Sequence, residues 1–485
     1  MAGFQAQEYF YPKADQIRLL PLRFERLSEN RYLTANAAGE LTMFSSEEFS
    51  RLVQLKLSPG DRLYEKAYAA SLITNAGQVS TLQTLAMRLR SRMSFLQQPT
   101  PLHLFVVTLR CEHSCPYCQV SRQSADKMLF DMTEETAMSA LRIALEAPAK
   151  SIKIEFQGGE PLLNYALIKK IIEAAENESR RRSKAVDFVI ATNLALITDE
   201  ILDFCKTHNV LISTSLDGPE DLHNKNRPRP GGNSYALAVQ GIRKVQQALG
   251  KERVGALMTT TEASLSRVEE IIDEYVKLDL DGIFLRPLSP YGFAVKTKQV
   301  SQYDTRRWLE FYKRGLRYIL RLNQSGRDFR EFYSALLLQR LLTDRPIGYV
   351  DLRSPSGVGL GALVYNYDGR VFASDEGRML AEMGDRAFEL GHVADSTYRS
   401  LVLSDTLVSS VSESLTQCAP ECHACVYESH CGADPVYHHA TQSDVVGIKP
   451  ISGFCAREKG VVSFLWELLE TSPEDAKVLR RWGNS

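Results

Sequence analysis

The stretch "VTLRCEHSCPYCQV", residues 107–120, sets Cys111, Cys115 and Cys118 within eight positions, directly after the apolar run "PLHLFVV" of residues 101–107. An apolar run that stops abruptly at polar and cysteine residues reads as a buried strand delivering a reactive loop. Five more runs of the same kind follow: "SIKIEFQG", "VDFVIATN", "VLISTSLD", "RVGALMT" and "DGIFLRPL", the last ending at Leu288. Amphipathic stretches of helix length separate them. Six strand-helix repeats require parallel strands joined by crossover helices, as an open sheet or a partial barrel. Functional side chains then belong at the C-terminal strand ends, where each run turns polar or glycine-rich.

The chain of 485 residues exceeds what one core usually supports, so two or three packed units are expected. With 44% hydrophobic and 24% charged residues and a formal net charge of −1, the composition is that of an ordinary globular protein, and nothing in it points to nucleic acid. The opening "MAGFQAQEYFYPKADQ" lacks a basic segment followed by an apolar one, and no run of about 18 apolar residues occurs, so no membrane partner and a cytoplasmic location are expected. Eight of the nine cysteines fall in two groups, and in a reducing compartment such spacings read as metal ligation. Cys205, in "ILDFCKTHNV", reads as a small core residue.

Up to about residue 100, the short alternating segments "LRFERLS", "RYLTA" and "ELTMF" predict strands, with a hairpin turn at "NAAG". Ser45 and Glu48 have capping-box spacing for a following helix. Further helices are expected at "DRLYEKAYAASLI" and "TLQTLAMRLRSRMSFL", before the linker "QQPTP". After about Gln302 the pattern is helical, and from Gly357 to Arg457 it becomes short-stranded and cysteine-rich. The units expected are 1–100, 101–300, a helical bridge 301–356, and 357–485 with a C-terminal helix.

Three thiols in the first group admit two fillings. A structural zinc needs a closed tetrahedral shell, for which His113 is at hand as fourth ligand. Three thiolates at the catalytic end of a strand suit an iron-sulfur cube with one iron left open. Cys-x-x-x-Cys-x-x-Cys, with Tyr117 before the last cysteine, resembles the signature of the radical S-adenosylmethionine (SAM) enzymes. The resemblance implies SAM as cofactor and a 4Fe-4S cluster on Cys111, Cys115 and Cys118. In that family the open iron chelates the amino and carboxylate groups of SAM, and an electron from the cluster releases a 5′-deoxyadenosyl radical, the protein positioning the parts.

The other strand ends agree. In "FQGGEP", Gly158 and Gly159 lack the Cβ that would keep backbone from the methionine end of SAM, and Glu160 could face its ammonium. "ATN" supplies Thr192 and Asn193. "STSLDG" supplies Ser215 and Asp217, polar groups for ribose hydroxyls or the SAM carboxylate. The resemblance implies that these positions, with Tyr117, line the SAM site. "HNKNR" adds His223 and Arg227, similar to the loop after strand four in peptide-modifying members. The run Arg180, Arg181, Arg182 and Lys184 reads as a solvated helix end.

In the second group, Cys422, Cys425, Cys431 and Cys455 offer four thiolates and no open position. Their spacing resembles the SPASM extension of radical SAM enzymes, which implies a fully ligated auxiliary 4Fe-4S cluster on these four residues. A four-cysteine zinc site is equally satisfied by them. Complete SPASM domains carry another auxiliary cluster, but Ser374 and Pro435 stand where its cysteines would be, so two clusters in all are expected. Cys418 has no slot in the pattern. In the related sulfatase-maturing enzymes the place of Asp375 holds an aspartate thought to take a proton from the substrate, a role suited to oxidation after hydrogen abstraction. A turn acid without chemical role is the plain alternative.

The resemblance as a whole implies an α/β fold: a partial (β/α)6 TIM-type radical SAM barrel, a small N-terminal α+β unit of winged-helix-like kind, and a C-terminal SPASM-like iron-sulfur domain. "VTLRCEHSCPYCQVSR", "IKIEFQGGEPLLN" and "CGADPVYHHATQ" are most similar to the radical SAM maturase of the His-Xaa-Ser peptide system. This implies a ribosomal precursor peptide as substrate and an external electron donor such as flavodoxin or ferredoxin; the N-terminal region resembles the winged-helix leader-recognition element, in which the leader adds a strand to the sheet, a packing collar being the alternative. The expected product is an intramolecular cross-link; formylglycine formation, epimerisation and a small-metabolite substrate are the alternatives.

Overall fold

The computed structural model describes residues 17–97 and 99–484. The opening stretch 1–16, in which no targeting pattern was found, lies outside the described residues, as do Gln98 of the linker and Ser485. A nine-stranded sheet organises the molecule. Its strands are β1 (Leu102–Thr108), β2 (Ser151–Gly158), β3 (Ala185–Ala191), β4 (Leu211–Ser215), β5 (Val254–Thr259), β6 (Leu285–Arg286), β7 (Ala362–Tyr365), β8 (Arg370–Phe372) and β9 (Glu389–His392). In space they run β6-β5-β4-β3-β2-β1-β7-β8-β9.

Strands β1 to β6 are parallel and in sequence order, each followed by a crossover helix, as in the helices Tyr165–Arg182, Asp199–Thr207 and Val268–Lys277. Nearly all of β1 is buried, as a parallel strand covered on both faces must be. Cys205 is buried in this core, as expected. The sixth run departs from expectation: "DGIFLRPL" is not one strand. Gly282–Ile283 pairs with Arg330–Glu331, and only Leu285–Arg286 joins β5. Glu331 holds the break, because its buried carboxylate accepts from the Leu285 amide at 3.2 Å and from the Tyr312 hydroxyl at 2.6 Å.

The sheet does not stop at the barrel. β7 lies parallel to β1, with Tyr365 opposite Phe105, and the antiparallel β8 and β9 extend it. The later region keeps the expected short strands only to His392; beyond it Cys422 and Cys455 sit on helices Pro420–His423 and Gly453–Thr471, and Cys425 and Cys431 in the irregular segments between. Pro420 opens the helix Pro420–His423 from its first turn, where its missing N–H costs nothing, and the Ser452 hydroxyl caps Gly453–Thr471 by accepting from the Cys455 amide.

The N-terminal strands Leu22–Ser28, Arg31–Asn36 and Leu41–Ser45 form a three-stranded antiparallel sheet, backed by helices Ser46–Val53, Arg62–Ala69 and Ser80–Arg92. The hairpin turns at "NAAG", where Gly39 takes φ +87°. Ser45 and Glu48 cap each other's backbone at 3.1 and 3.0 Å. This unit rests on the cysteine-bearing segment: Arg23 donates to the His423 carbonyl at 2.9 Å, and His430 bonds the Gly39 carbonyl at 2.6 Å.

Candidate active site

The loop after β1 is tied down on both flanks. Arg110, buried at its base, pairs with Asp131 at 2.6 Å, and the Ser114 amide donates to the Pro228 carbonyl at 2.7 Å. The Cys118 amide closes a turn onto the Cys115 carbonyl, and the Phe293 amide bonds the Cys118 carbonyl. The three thiols thereby face a cavity of about 220 Å³ at the C-terminal ends of the barrel strands. Tyr117, Gly158, Gly159, Thr192, Asn193, Ser215 and Arg227 line it with them.

The glycines that line the cavity also answer a constraint on their other side. A Cβ on Gly158 would stand 2.0 Å from the Thr108 carbonyl oxygen, and one on Gly159 would stand 2.1 Å from that of Arg110. What their bareness spares is the neighbouring β1 backbone, which bonds the Gly159 and Glu160 amides at 2.8 and 2.7 Å.

Glu160 and Asp217 lie behind the wall and are fully buried. The Glu160 carboxylate accepts from the Thr192 hydroxyl (2.6 Å) and from the Asn193 and Leu162 amides (2.8 and 3.0 Å). Burial, with the Glu112 carboxylate nearby, pushes it up to about 7 against those bonds. Asp217 accepts from the Tyr117 hydroxyl at 2.5 Å, from Arg227 Nε and Nη2 at 3.1 and 3.3 Å, and from the Thr259 amide at 3.2 Å. It therefore fixes the aromatic ring between Cys115 and Cys118 and the guanidinium above it. His113 spends both nitrogens, on Ser234 at 2.8 Å and Glu112 at 3.1 Å. His223 shares Ser234 from the other side at 3.1 Å.

Burial raises the Cys111 and Cys115 thiols, Cys115 to about 12, so these two hold protons until a cationic cluster replaces them. A zinc tetrahedron at about 2.3 Å per thiolate spaces its sulfurs roughly 3.8 Å apart. Among the described residues no three cysteine sulfurs of either group lie within 4.8 Å of one another; the one compact trio is Cys111, Glu112 and His113. Residues 105–275 match the Radical SAM superfamily.

The barrel is a radical SAM domain. Among its relatives, the radical SAM cyclopropyl synthase TigE of Paramaledivibacter caminithermalis is 26% identical over 41% of this chain and 42% of its own. The serine-type anaerobic sulfatase-maturating enzyme of Klebsiella aerogenes is 23% identical over 48% of this chain and 60% of its own. The chain thus spans less than two thirds of the length of both. Among solved structures, anSMEcpe with bound AdoMet superposes with a TM-score of 0.64 at 17% identity, covering 79% of this chain and all of the other. Streptococcus suis SuiB bound to precursor peptide SuiA gives 0.53 at 13% identity, over 90% and 98% of the two chains.

Outside the radical SAM domain the structure gathers the second cysteine group. Cys422, Cys425, Cys431 and Cys455 are close enough for their charges to act on one another, and burial raises all four. Cys418 is exposed. Ser374 and Pro435, standing where further cysteines would be, start helices: the Ser374 hydroxyl accepts from the Gly377 amide at 3.0 Å, and Pro435 opens a helix capped by Asp434. Asp375 accepts from the buried Arg378 at 2.9 Å and lines neither cavity. The residue after it, Glu376, lines a second cavity. Sequence reasoning missed Arg286, at the end of β6, which lines both cavities. It is the charged residue of "FLRPL", and the strand-end rule applied to the other five runs would have found it. No helix of the described residues is long and apolar enough to cross a membrane.

Proposed function

We propose that the chain is a radical SAM maturase that modifies a ribosomally made peptide by an oxidative intramolecular cross-link. The carrying observation is the junction at Arg286, where the three-thiol cavity opens beside a second, polar cavity suited to a substrate side chain. Similarity to TigE and to sulfatase-maturating enzymes supports the reading, as does the fold shared with SuiB. Cys111, Cys115 and Cys118 would hold a 4Fe-4S cluster, with SAM over Gly158, Thr192, Asn193, Ser215 and Arg227; Cys422, Cys425, Cys431 and Cys455 would hold an auxiliary one. When bound, these groups supply a hydrogen-abstracting radical and an electron acceptor.

The protein's own part is positional. Asp217 fixes Tyr117 and Arg227 against the thiol loop, and Glu160 fixes Thr192 and Asn193 at the ends of the strands. Asp375 is the proposed acceptor of the substrate proton. The N-terminal sheet is the proposed leader site, and a flavodoxin or ferredoxin the proposed electron donor. Incubation of the reconstituted enzyme with SAM, reductant and a candidate precursor peptide tests the reading by mass spectrometry. The expected product is lighter by two hydrogens and unreactive to hydrazide, and Asp375→Asn forms it much more slowly. Formylglycine, the reading favoured by similarity to the serine-type sulfatase-maturating enzyme, has the same mass but is captured by hydrazide. An unshifted peptide mass refutes both.

A further inference from the structure

Three carboxyl groups from three separate segments meet in the smaller cavity, of about 50 Å³. Asp351 comes from the turn Val350–Leu352, Glu376 from the first turn of helix Asp375–Ala381, and Asp434 from the cap of helix Pro435–Gln442. No ion pair joins any of them to a basic side chain among the described residues. Two guanidiniums stand on the same wall, but Arg457 is already taken by Glu458, Nε to Oε1 at 3.1 Å. Arg457 also acts on Asp351 and Asp434, and Arg286 on Asp351, yet with Glu458 counted four carboxyls stand against these two cations.

An independent feature also asks for a ligand. Tyr291 is 1% exposed and lines this cavity, and its hydroxyl has no hydrogen-bond partner. Burial, with the charges of Asp434, Glu376 and Asp351 nearby, holds the proton on that hydroxyl. A buried polar group left without a partner costs on the order of 1–3 kcal/mol, which a ligand's N–H can relieve because a tyrosine oxygen also accepts. At roughly 10–15 Å³ per water-sized group, the space takes three to five heavy atoms, the size of an ammonium, guanidinium or imidazolium head.

Resting on the peptide-maturase reading, we propose that this cavity is the specificity pocket and takes a cationic, N–H-donating side chain of the substrate peptide, neighbouring the residue that is modified. Arg286 sets the border between the two cavities, and its like charge keeps the bound cation on the carboxylate side. Burial and mutual repulsion push Glu376 and Asp434 up, so an arriving cation displaces protons and leaves balanced charge behind.

Calorimetry on the reconstituted full chain with SAM tests this, using blocked amino-acid amides as probes. N-acetyl-arginine amide is compared with its neutral isostere N-acetyl-citrulline amide, and the lysine amide with norleucine; the histidine amide ranks the cations. A charged probe should bind at least tenfold tighter than its neutral counterpart, with the preference falling below threefold in Glu376→Gln and in Tyr291→Phe. Equal affinity for charged and neutral probes overturns the proposal on the unmodified chain alone, whatever the variants do. So does a preference that survives Glu376→Gln. Formation of 5′-deoxyadenosine, read in the same samples, separates the two layers: its loss with the charge preference intact refutes the reaction assigned and leaves the pocket standing.

Discussion

Replacing Asp217 with Asn isolates what holds the thiol loop. The carboxylate is fully buried and receives four hydrogen bonds, two of them from the guanidinium of Arg227. An Asn oxygen can still accept from the Thr259 amide, but its NH2 then confronts Arg227 Nε, a donor left without an acceptor, and the Tyr117 hydroxyl must turn to accept instead. The guanidinium is left buried and uncompensated, a loss of about 3–5 kcal/mol. At a factor of ten per ~1.4 kcal/mol, the opened population of the loop should rise on the order of 10²–10³-fold. Hydrogen exchange of the 111–120 segment in metal-free protein reads this directly. The double variant Asp217→Asn, Arg227→Met removes both charges and should recover most of the protection, because a buried pair deleted whole costs far less than half of one. Unchanged exchange in the single variant, or a double variant no better than the single, would refute the argument that this pair organises the site.

Other expectations are quickly stated. Cys118→Ala should abolish 5′-deoxyadenosine formation, whereas Cys425→Ala should spare it in part and impair folding or peptide turnover; normal cleavage by the Cys118 variant sinks the cluster assignment. Reconstituted protein should carry about eight irons per chain, and a count near four with one zinc retained would hand the second group to zinc. Deleting the N-terminal unit to about residue 95 should weaken peptide binding while uncoupled SAM cleavage persists, and unaltered affinity would retire the leader role. Glu160 has its carboxyl raised from an ordinary 4.5 to about 7, so between those values the folded chain binds the proton that the unfolded chain releases. Its contribution is present below about 4.5 and is lost as pH rises to about 7. Urea midpoints should follow that slope in the metal-free protein and flatten in Glu160→Gln.

The barrel was legible because burial on both faces forces continuous apolar runs, and six of them in rhythm admit few topologies. The same rule brought Thr192, Asn193, Ser215 and the three cysteines to one end of the sheet. It could not tell a side chain on the wall from one behind it. Glu160 and Asp217 stand in the same motifs, yet the chain turns just past each strand and carries them under their neighbours. The second cavity left no trace in local pattern, since Asp351, Glu376 and Asp434 belong to segments that meet only through tertiary packing. The break at Phe284 was hidden too, because it depends on the distant carboxylate of Glu331.

The pairing of β7 with β1 ties the cysteine-bearing C-terminal arm to the barrel through main-chain hydrogen bonds, with Leu102 to Phe105 facing Ala362 to Tyr365. A chain cut near residue 300 would bare one flank of β1, a row of apolar residues with open amides and carbonyls, which is a template for edge-to-edge association. Modular exchange is limited in the same way. Any chimera that borrows a different C-terminal arm must bring a strand that seats in this register, or its barrel is left with an adhesive seam.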